Sequence, residues 1–169
     1  MSIHSPAGDE GVTDLTIRPA TVADLPRLVA ILVDDPIGAE RETLADPLPE
    51  RYRDAFARID ASPDSTLYVA ELGRRTVGMA QLNLLQYLTY LGGRRGQVDT
   101  VFVAADARGR GIGTALVRHC LEAADAAGCH LVQLFTDARR EDAVRFYERL
   151  GFEATHRGMK RHRATDSDS

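Results

Sequence analysis

The chain has 169 residues, a length that fits one domain of ordinary size. Hydrophobic residues make up 44% of it and charged residues 27%, close to the globular average, which excludes a wholly disordered or fibrous protein. A formal net charge of −4 argues against general nucleic-acid binding. No apolar run approaches the ~20 residues of a membrane helix, and two cysteines are too few for a disulfide or zinc framework.

Both ends of the chain are predicted to lie outside the folded part. Residues 1–14 are polar and contain proline and glycine, so we expect a flexible arm. They lack the basic and apolar regions of a signal peptide. Residues 164–169 are also polar and predict a flexible tail. We therefore expect one domain over residues 15–163. We also expect the protein to be cytoplasmic, and in the cytoplasm both thiols stay reduced.

Apolar residues in the first half of the chain follow strand and helix periodicities in turn. The pattern predicts a strand ended by Pro19, a helix with Thr21 as its N-cap, an acidic loop and a second helix. A hairpin of two strands follows, and then a loop or frayed strand. The predicted bounds are strand 15–18, helix to 33, loop from 34, helix 49–59, strands 66–72 and 76–84, and loop 86–93.

The second half predicts a strand–helix–strand crossover followed by another helix. In its first strand, alternation places Asp99, Val101 and Val103 on one face. The predicted bounds are strand 97–103, helix 111–127 capped by Gly128, a strand 131–136 buried on both faces, helix 142–150, and a closing hairpin of 152–154 with 159–163. We predict an α/β (α+β) fold, with a mixed, mostly antiparallel central sheet, a central parallel pair and flanking helices.

The glycine-rich turn between the strand and the crossover helix is the most informative stretch. It comprises Arg108, Gly109, Arg110, Gly111, Ile112, Gly113 and Thr114. A helix start offers unpaired N–H groups and a partial positive charge. Glycines let a diphosphate approach the backbone, and the two arginines add attraction. The turn therefore predicts a pyrophosphate site.

Three other interpretations of this turn exist. In the first interpretation, it is an ordinary glycine turn between a strand and a helix. In the second it is a dinucleotide site, but the glycines at 109, 111 and 113 do not form the G-x-G-x-x-G pattern. In the third it is a Walker loop, but the Gly-Lys-Ser/Thr ending is absent.

Two motifs in order identify a family resemblance. Arg108, Gly111 and Gly113 match R/Q-x-x-G-x-G/A after a V-x-V strand, and a second block places Ala143 and Tyr147 before Gly-Phe. This pattern resembles the GNAT superfamily of N-acetyltransferases, over roughly residues 15–163 and strongly over 97–152. Residues 131–160 also look similar to aminoalkylphosphonate N-acetyltransferases, a weaker likeness that does not carry the substrate.

The resemblance implies that acetyl-CoA is the cosubstrate. It implies that the backbone of Val101, Phe102 and Val103 pairs with the pantetheine arm, and that the amides of residues 108–114 hold the pyrophosphate. Asp137 takes a position where family members often carry asparagine, and Ala143 also falls among the cofactor-binding positions. A backbone N–H of Val101–Val103 is implied as the donor to the oxyanion.

Acetyl transfer needs a neutral amine and a proton for the departing thiolate. Tyr147 is the candidate donor, since a phenol of pKa near 10 can protonate a thiolate of pKa around 8.5. Asp99 is the candidate base, acting through water because a free aspartate, of pKa about 3.9, is a weak base for an ammonium. The alternatives are that Tyr147 only orients the cofactor sulfur and that Asp99 forms an ordinary ion pair or hydrogen bond.

The expected partner is a small-molecule or peptide amine, and the resemblance also allows a homodimer. We expect no nucleic-acid or membrane partner, for the reasons of charge and hydrophobicity given above. We expect no metal either, since the histidines share no ligand spacing. Acidic residues after the first helix and the aromatic segment 87–91 either border the acceptor or are merely a solvated surface; the acids are Asp34, Asp35, Glu40 and Glu42. The competing functions are an acyl-CoA-binding regulatory module without turnover and a nucleotide-binding protein unrelated to CoA.

Overall fold

The computed structural model describes residues 14–36, 38–137 and 139–161. The predicted tail, and all but the last residue of the predicted arm, lie outside these ranges. Between Leu134 and Phe135 the chain divides into two compact units. None of the helices within the described residues has the length and hydrophobicity of a membrane span.

The first unit is built on a five-stranded sheet in the order β1-β2-β3-β4-β5. The strands are β1 (Leu15–Pro19), β2 (Ser65–Leu72), β3 (Arg75–Gln86), β4 (Arg94–Val103) and β5 (Leu131–Leu134). Neighbouring strands are antiparallel except β4 and β5, which are parallel. The predicted mixed sheet with one parallel pair is confirmed, although within the first unit the pair lies at an edge rather than in the centre.

Within the described residues of the first unit, four helices join these strands, with 3₁₀ turns at Val22–Asp24 and Ala105–Ala107. They are α1 (Leu25–Val33), α2 (Glu50–Asp60), the single turn α3 (Thr89–Gly92) and α4 (Ile112–Ala126). Gly128 ends α4 as predicted: its φ is +73°, and the N–H of Cys129 reaches back to the carbonyl of Ala124 at 3.0 Å.

Helices cover both faces of the sheet. Helix α4 lies on one face, where Leu116 and Cys120 are fully buried. Val69 and Met79 point to the opposite face and are buried there, where α1 and α2 pack against β3 and β2. Burial raises the pKa of the Cys120 thiol to about 12, which is typical of an inert core cysteine.

The second unit contains α5 (Glu141–Glu148). Gly151, at a φ of +90°, follows the last turn of the helix, and the N–H of Phe152 bonds back to the carbonyl of Tyr147 at 3.1 Å. The predicted closing hairpin is wrong where it can be assessed, because residues 152–161 form no strand. Met159 is 96% exposed, so this segment lacks the buried apolar face that a hairpin needs.

The predicted loop or frayed strand 86–93 is a connection that contains the single turn α3, in which Tyr90 and Leu91 adopt left-handed φ values of +53° and +57°. The predicted burial of strand 131–136 on both faces is wrong. Strand β5 ends at Leu134 and its residues are only half-buried, because the strand lies at the edge of the sheet in this unit.

A partly buried group of ion pairs fixes the start of α1 against the sheet. The Arg18 guanidinium donates to both carboxylate oxygens of Asp24 at 2.9 Å and to Glu71 at 2.8 Å. The Asp24 carboxylate also accepts the Thr21 backbone N–H at 2.8 Å and the Thr76 hydroxyl at 3.2 Å. The hydrogen bonds from Arg18, with those from Thr21, lower the pKa of Asp24 from 3.8 to about 2.

Asp24→Asn is expected to lower the free energy of unfolding by about 2 kcal/mol at pH 7, since the side chain is buried and ionised. The folded pKa lies below the unfolded one, so the contribution is complete above the unfolded value of 3.8 and is lost as the pH falls through about 2. Urea unfolding of both proteins at pH 7 and between pH 5 and 2 measures this. Parallel pH profiles of the two proteins would contradict it.

Candidate functional site

Strand β4 carries a β-bulge at the place where the sequence predicts regular alternation. Asp99 lies opposite Gln81 and Phe102 lies opposite Met79, so two residues of β4 face one residue of β3. Thr100, one of the two, has a φ of +55°. This conformation is rare for a β-branched residue, and it persists because the pairing on both sides of the bulge fixes it.

The bulge changes which side chains share a face. Asp99 shares its face with Phe102, whereas Val103 shares the opposite face with Val98. The predicted common face of Asp99, Val101 and Val103 is therefore wrong. One extra residue reverses the alternation, and a sequence pattern of period two cannot show this.

Beyond Val98 strand β4 leaves its partner β5. The parallel pairing covers Arg95–Val98 and stops where β5 ends, while β4 continues to Val103 alongside β3. Within the described part of the first unit, the β5-facing edge of residues 99–103 is thus not paired with a strand. Such an edge can take an extended chain that carries amide groups. Residues Val101, Phe102 and Val103, predicted to pair with a pantetheine arm, lie on it.

The predicted phosphate turn opens α4 with its backbone bare. Gly109 and Gly111 have φ values of +74° and +75°, and a Cβ at either position would meet no atom within 4 Å. The Ala115 N–H donates to the Gly111 carbonyl at 3.0 Å, and no side chain caps the helix. The N–H groups of residues 112–114 precede this first intrahelical bond. They form a positive, open end of the helix that fits a diphosphate.

Arginine side chains flank this turn. Arg108 and Arg110 are both exposed, and Arg108 Nε donates to the carbonyl of Val103 at 3.1 Å. Arg108 thereby ties the start of the turn to the end of β4. The predicted residues of β4 and of the turn thus lie in one continuous stretch of backbone.

A glycine on β3 sets how closely α4 approaches this stretch. A Cβ on Gly78 would lie 3.0 Å from the Phe102 carbonyl oxygen, 3.1 Å from Leu116 Cδ1 and 3.4 Å from Ile112 Cγ2. At the other end of α4, a Cβ on Gly96 would lie 2.9 Å from the Cβ of Ala124. The bare backbone at both points lets the helix lie close to the sheet.

Gly78→Ala is expected to move the start of α4 away from β4. It should raise the Kd for acetyl-CoA, the cosubstrate that the family resemblance implies, about fivefold or more while costing about 1–3 kcal/mol of stability. Gly96→Ala is the matched control, since it crowds the distal end of the helix. It should cost similar stability and leave the Kd within a factor of about two. Calorimetric titration and denaturant unfolding measure both; equal losses of affinity would refute this role of Gly78.

Asp99 lies in a row of polar side chains on the face covered by α1 and α2. Its carboxylate accepts hydrogen bonds from Asn83 at 3.1 Å and from Gln97 at 2.8 Å. The row continues to Gln133 on β5, which donates to Gln97 at 3.0 Å. Sequence reasoning missed these amides. The available signal was a polar residue at alternate positions of β3 and of β4.

The second unit holds the remaining predicted site residues. Asp137 accepts from the Arg139 backbone N–H at 3.0 Å and from its guanidinium at 3.0 and 2.8 Å, and Arg139 holds the pKa of that carboxyl well below its usual range. Ala143 and Tyr147 lie on α5, both half-buried. The Tyr147 ring packs edge-on against Phe146, with centroids 4.9 Å apart.

Four of the acidic and aromatic residues proposed to border an acceptor have local partners. Asp35 is only 4% exposed and accepts a backbone N–H at 3.2 Å. Glu42 accepts a tyrosine hydroxyl at 2.8 Å. The Arg95 guanidinium lies over the rings of Tyr87 and Tyr90, at 4.6 and 5.2 Å. These contacts favour a structural role.

No three His, Cys, Asp or Glu side chains within residues 14–36, 38–137 and 139–161 are arranged to hold a metal ion.

Comparison with known proteins gives one family. Residues 27–152 match the model of the acetyltransferase (GNAT) family. The aminoalkylphosphonate N-acetyltransferase of Salmonella typhimurium is 32% identical over 107 residues, 63% of this chain and 69% of that protein. The L-methionine sulfoximine/L-methionine sulfone acetyltransferase of Pseudomonas aeruginosa is 30% identical over 145 residues, 82% of this chain and 80% of that protein.

The coverage of relatives varies. The chain spans 25% of the length of an uncharacterised N-acetyltransferase of Methanocaldococcus jannaschii, to which it is 44% identical over 57 residues. Among solved structures, a transcriptional regulator from Bacillus halodurans is 47% identical, with a TM-score of 0.86 over 88% of this chain and 99% of that one.

Proposed function

Because the chain belongs to the acetyltransferase (GNAT) family, we propose that it transfers the acetyl group of acetyl-CoA to a primary amine. The amine attacks directly in a ternary complex, without an acetylated enzyme. One observation carries the proposal: β4 continues past the end of its pairing with β5 and leads into the bare start of α4, with two glycines at positive φ between them. This arrangement suits a thioester carrier with a diphosphate at one end and an amide-bearing arm at the other.

Different cofactor-binding residues are proposed to hold different parts of acetyl-CoA. The N–H groups of residues 112–114 and the open glycine backbone hold the diphosphate, and Arg108 and Arg110 add positive charge. The β4 edge at Val101–Val103 pairs with the amide arm and offers an N–H to the carbonyl oxygen of the thioester as negative charge develops there. Ala143 and Asp137 remain predicted contacts, and Asp137 is proposed to act while bound to Arg139.

The proton transfers that the reaction needs suggest the roles of Asp99 and Tyr147. An ordinary alkylammonium of pKa about 10.4 is almost wholly charged at pH 7, so a proton must leave before attack. Asp99 accepts it through an ordered water. As the C–N bond forms and the C–S bond breaks, Tyr147 gives its hydroxyl proton to the thiolate, and the second proton of the attacking nitrogen passes through solvent to the phenolate and restores the hydroxyl. Holding the amine near the carbonyl supplies much of the remaining acceleration.

The names of two relatives direct the choice of acceptor. One acts on aminoalkylphosphonates and the other on L-methionine sulfoximine and L-methionine sulfone. Both indicate small molecules, so we propose a small-molecule amine before a peptide amine. The proposal includes a cytoplasmic protein that acts without nucleic acid or membrane, as a monomer or homodimer.

A thiol-release assay with acetyl-CoA tests the function. Aminoalkylphosphonates, amino acids, amino sugars, aminoglycosides, polyamines and peptides are supplied in turn, and at least one small amine should accelerate CoA release above the rate without an acceptor. In parallel, acetyl-CoA should raise the Tm, whereas NAD and ATP should not. A Tm that rises with ATP or NAD but not with acetyl-CoA would contradict the proposal.

A second function is favoured by one comparison. The Bacillus halodurans protein that is 47% identical to this chain is described as a transcriptional regulator. A regulatory module that binds acyl-CoA without turnover would give the same Tm increase with acetyl-CoA but no thiol release with any amine. The two readouts together therefore distinguish the enzyme from the module.

A further inference from the structure

We propose that a chain of amide and hydroxyl groups running across four strands holds Asp99 in one orientation, with Asn83 and Gln97 as positioning residues. The inference rests on the proposed function, in which Asp99 accepts the proton of the amine.

The two positioning residues bind the same carboxylate oxygen. Asn83 Nδ2 donates to Asp99 Oδ2 at 3.1 Å, and Gln97 Nε2 donates to it at 2.8 Å. The other oxygen, Oδ1, accepts no hydrogen bond from any residue that the structure describes. Two anchors on one oxygen fix the carboxylate plane and leave the second oxygen to a water or an amine.

Each anchor is itself held through its carbonyl oxygen. Asn83 Oδ1 accepts from the Ser65 hydroxyl at 2.7 Å and from Gln81 Nε2 at 3.0 Å. Gln97 Oε1 accepts from Gln133 Nε2 at 3.0 Å. Gln81 Nε2 also donates to Ser65 Oγ at 3.1 Å. Each series of hydrogen bonds therefore ends at Asp99, and bonds in series strengthen one another in a half-buried environment.

Strand register explains why these residues meet. Asn83 lies directly opposite Ser65 on β2 and Gln97 on β4, and Gln97 lies opposite Gln133 on β5. Cross-strand partners share a face and lie within hydrogen-bond reach of each other. A half-buried amide row is costly unless its members are paired, and here each bond leads to the carboxylate.

The position of Asp99 links this row to residues 101–103 of β4, which are predicted to pair with the cofactor. Asp99 is the last residue of β4 before the bulge and the first residue after the pairing with β5 ends at Val98. A carboxylate held at this point has a fixed place relative to the backbone predicted to carry the thioester. A carboxylate that rotates freely would reach the productive geometry only part of the time, and turnover would fall accordingly.

Asn83→Leu and Gln97→Leu test the proposal, since leucine has a similar size and no hydrogen-bonding group. Each variant should lower kcat about tenfold, as expected for a loosened general base, with the Kd for acetyl-CoA unchanged within a factor of about two. In an Asp99→Asn background the same substitutions should change kcat less than about twofold, because the group that they position is gone.

Gln86→Leu is the matched control. Gln86 is also an amide on β3, but it bonds the backbone carbonyl of Gly92 instead of Asp99. It should leave kcat unchanged in both backgrounds. Losses that are equally large with and without the Asp99 carboxylate, or an unchanged kcat in both single variants, would overturn the proposal.

Side-chain amide signals in ¹H–¹⁵N spectra separate this inference from the proposed function. Asp99→Asn should shift the signals of Asn83 and Gln97, and also that of Gln133, which does not touch Asp99. If no amine is acetylated by the wild-type protein, the proposed function fails and these signals decide the inference alone. Shifts of all three support the network, and an unchanged Gln133 signal overturns it.

Discussion

Replacing Tyr147 with phenylalanine is expected to lower kcat by about two orders of magnitude, the usual contribution of a positioned proton donor. The substitution removes only the hydroxyl. The ring keeps its edge-on contacts with Phe146 and Phe152, at centroid distances of 4.9 and 5.8 Å, so the packing of the second unit is retained. Steady-state thiol release at saturating acetyl-CoA measures the loss.

The control for this variant is Tyr52→Phe, which removes a hydroxyl bonded to Glu42 in the first unit. It should leave kcat unchanged. Calorimetric titration of Tyr147→Phe should give a Kd for acetyl-CoA within about twofold of the wild type, since the lost group acts on the leaving thiolate. Wild-type turnover by Tyr147→Phe would remove this residue from the mechanism.

Asp99→Asn is expected to lower kcat/KM for the amine by about a hundredfold, because the amide cannot accept the proton. The replacement is nearly isosteric, and its oxygen can still accept from Asn83 and Gln97. The loss therefore reports proton transfer rather than folding. Initial rates over a range of amine concentrations, at fixed acetyl-CoA, measure it.

The pH–rate profile of the same variant gives the decisive detail. If Asp99 takes the amine proton, the variant should depend on amine that is already neutral, and its rate should keep rising into the alkaline range beyond the wild-type limb. Should the alkaline limb of Asp99→Asn coincide with that of the wild type, Asp99 would not be the base.

Local sequence patterns predict much of the fold. The turn at 108–114 was readable because three glycines and two arginines stand between a strand and a helix, and the structure places Gly109 and Gly111 in the left-handed conformation that glycine allows. The bounds of α1 and α4 follow from the spacing of their apolar residues and from Gly128. Such signals involve residues within one turn of each other, so no tertiary information is needed.

The features that depend on pairing between distant strands were not readable. Thr100 is β-branched, a residue type that is typical of regular strands. Only the register of β3 against β4 shows that it lies in a bulge. The amide row around Asp99 likewise joins Ser65 to Gln133 through four strands. No local pattern places those two residues on one face, since a shift of one residue in any strand would separate them.

The binding of acetyl-CoA tests the central claim most directly, because the account assigns the diphosphate to the start of α4. A crystal structure of the complex should place its phosphate oxygens within about 3 Å of the backbone nitrogens of residues 112–114, with the amide arm along β4 at Val101–Val103. A complex in which the diphosphate lies away from this helix start would contradict the account.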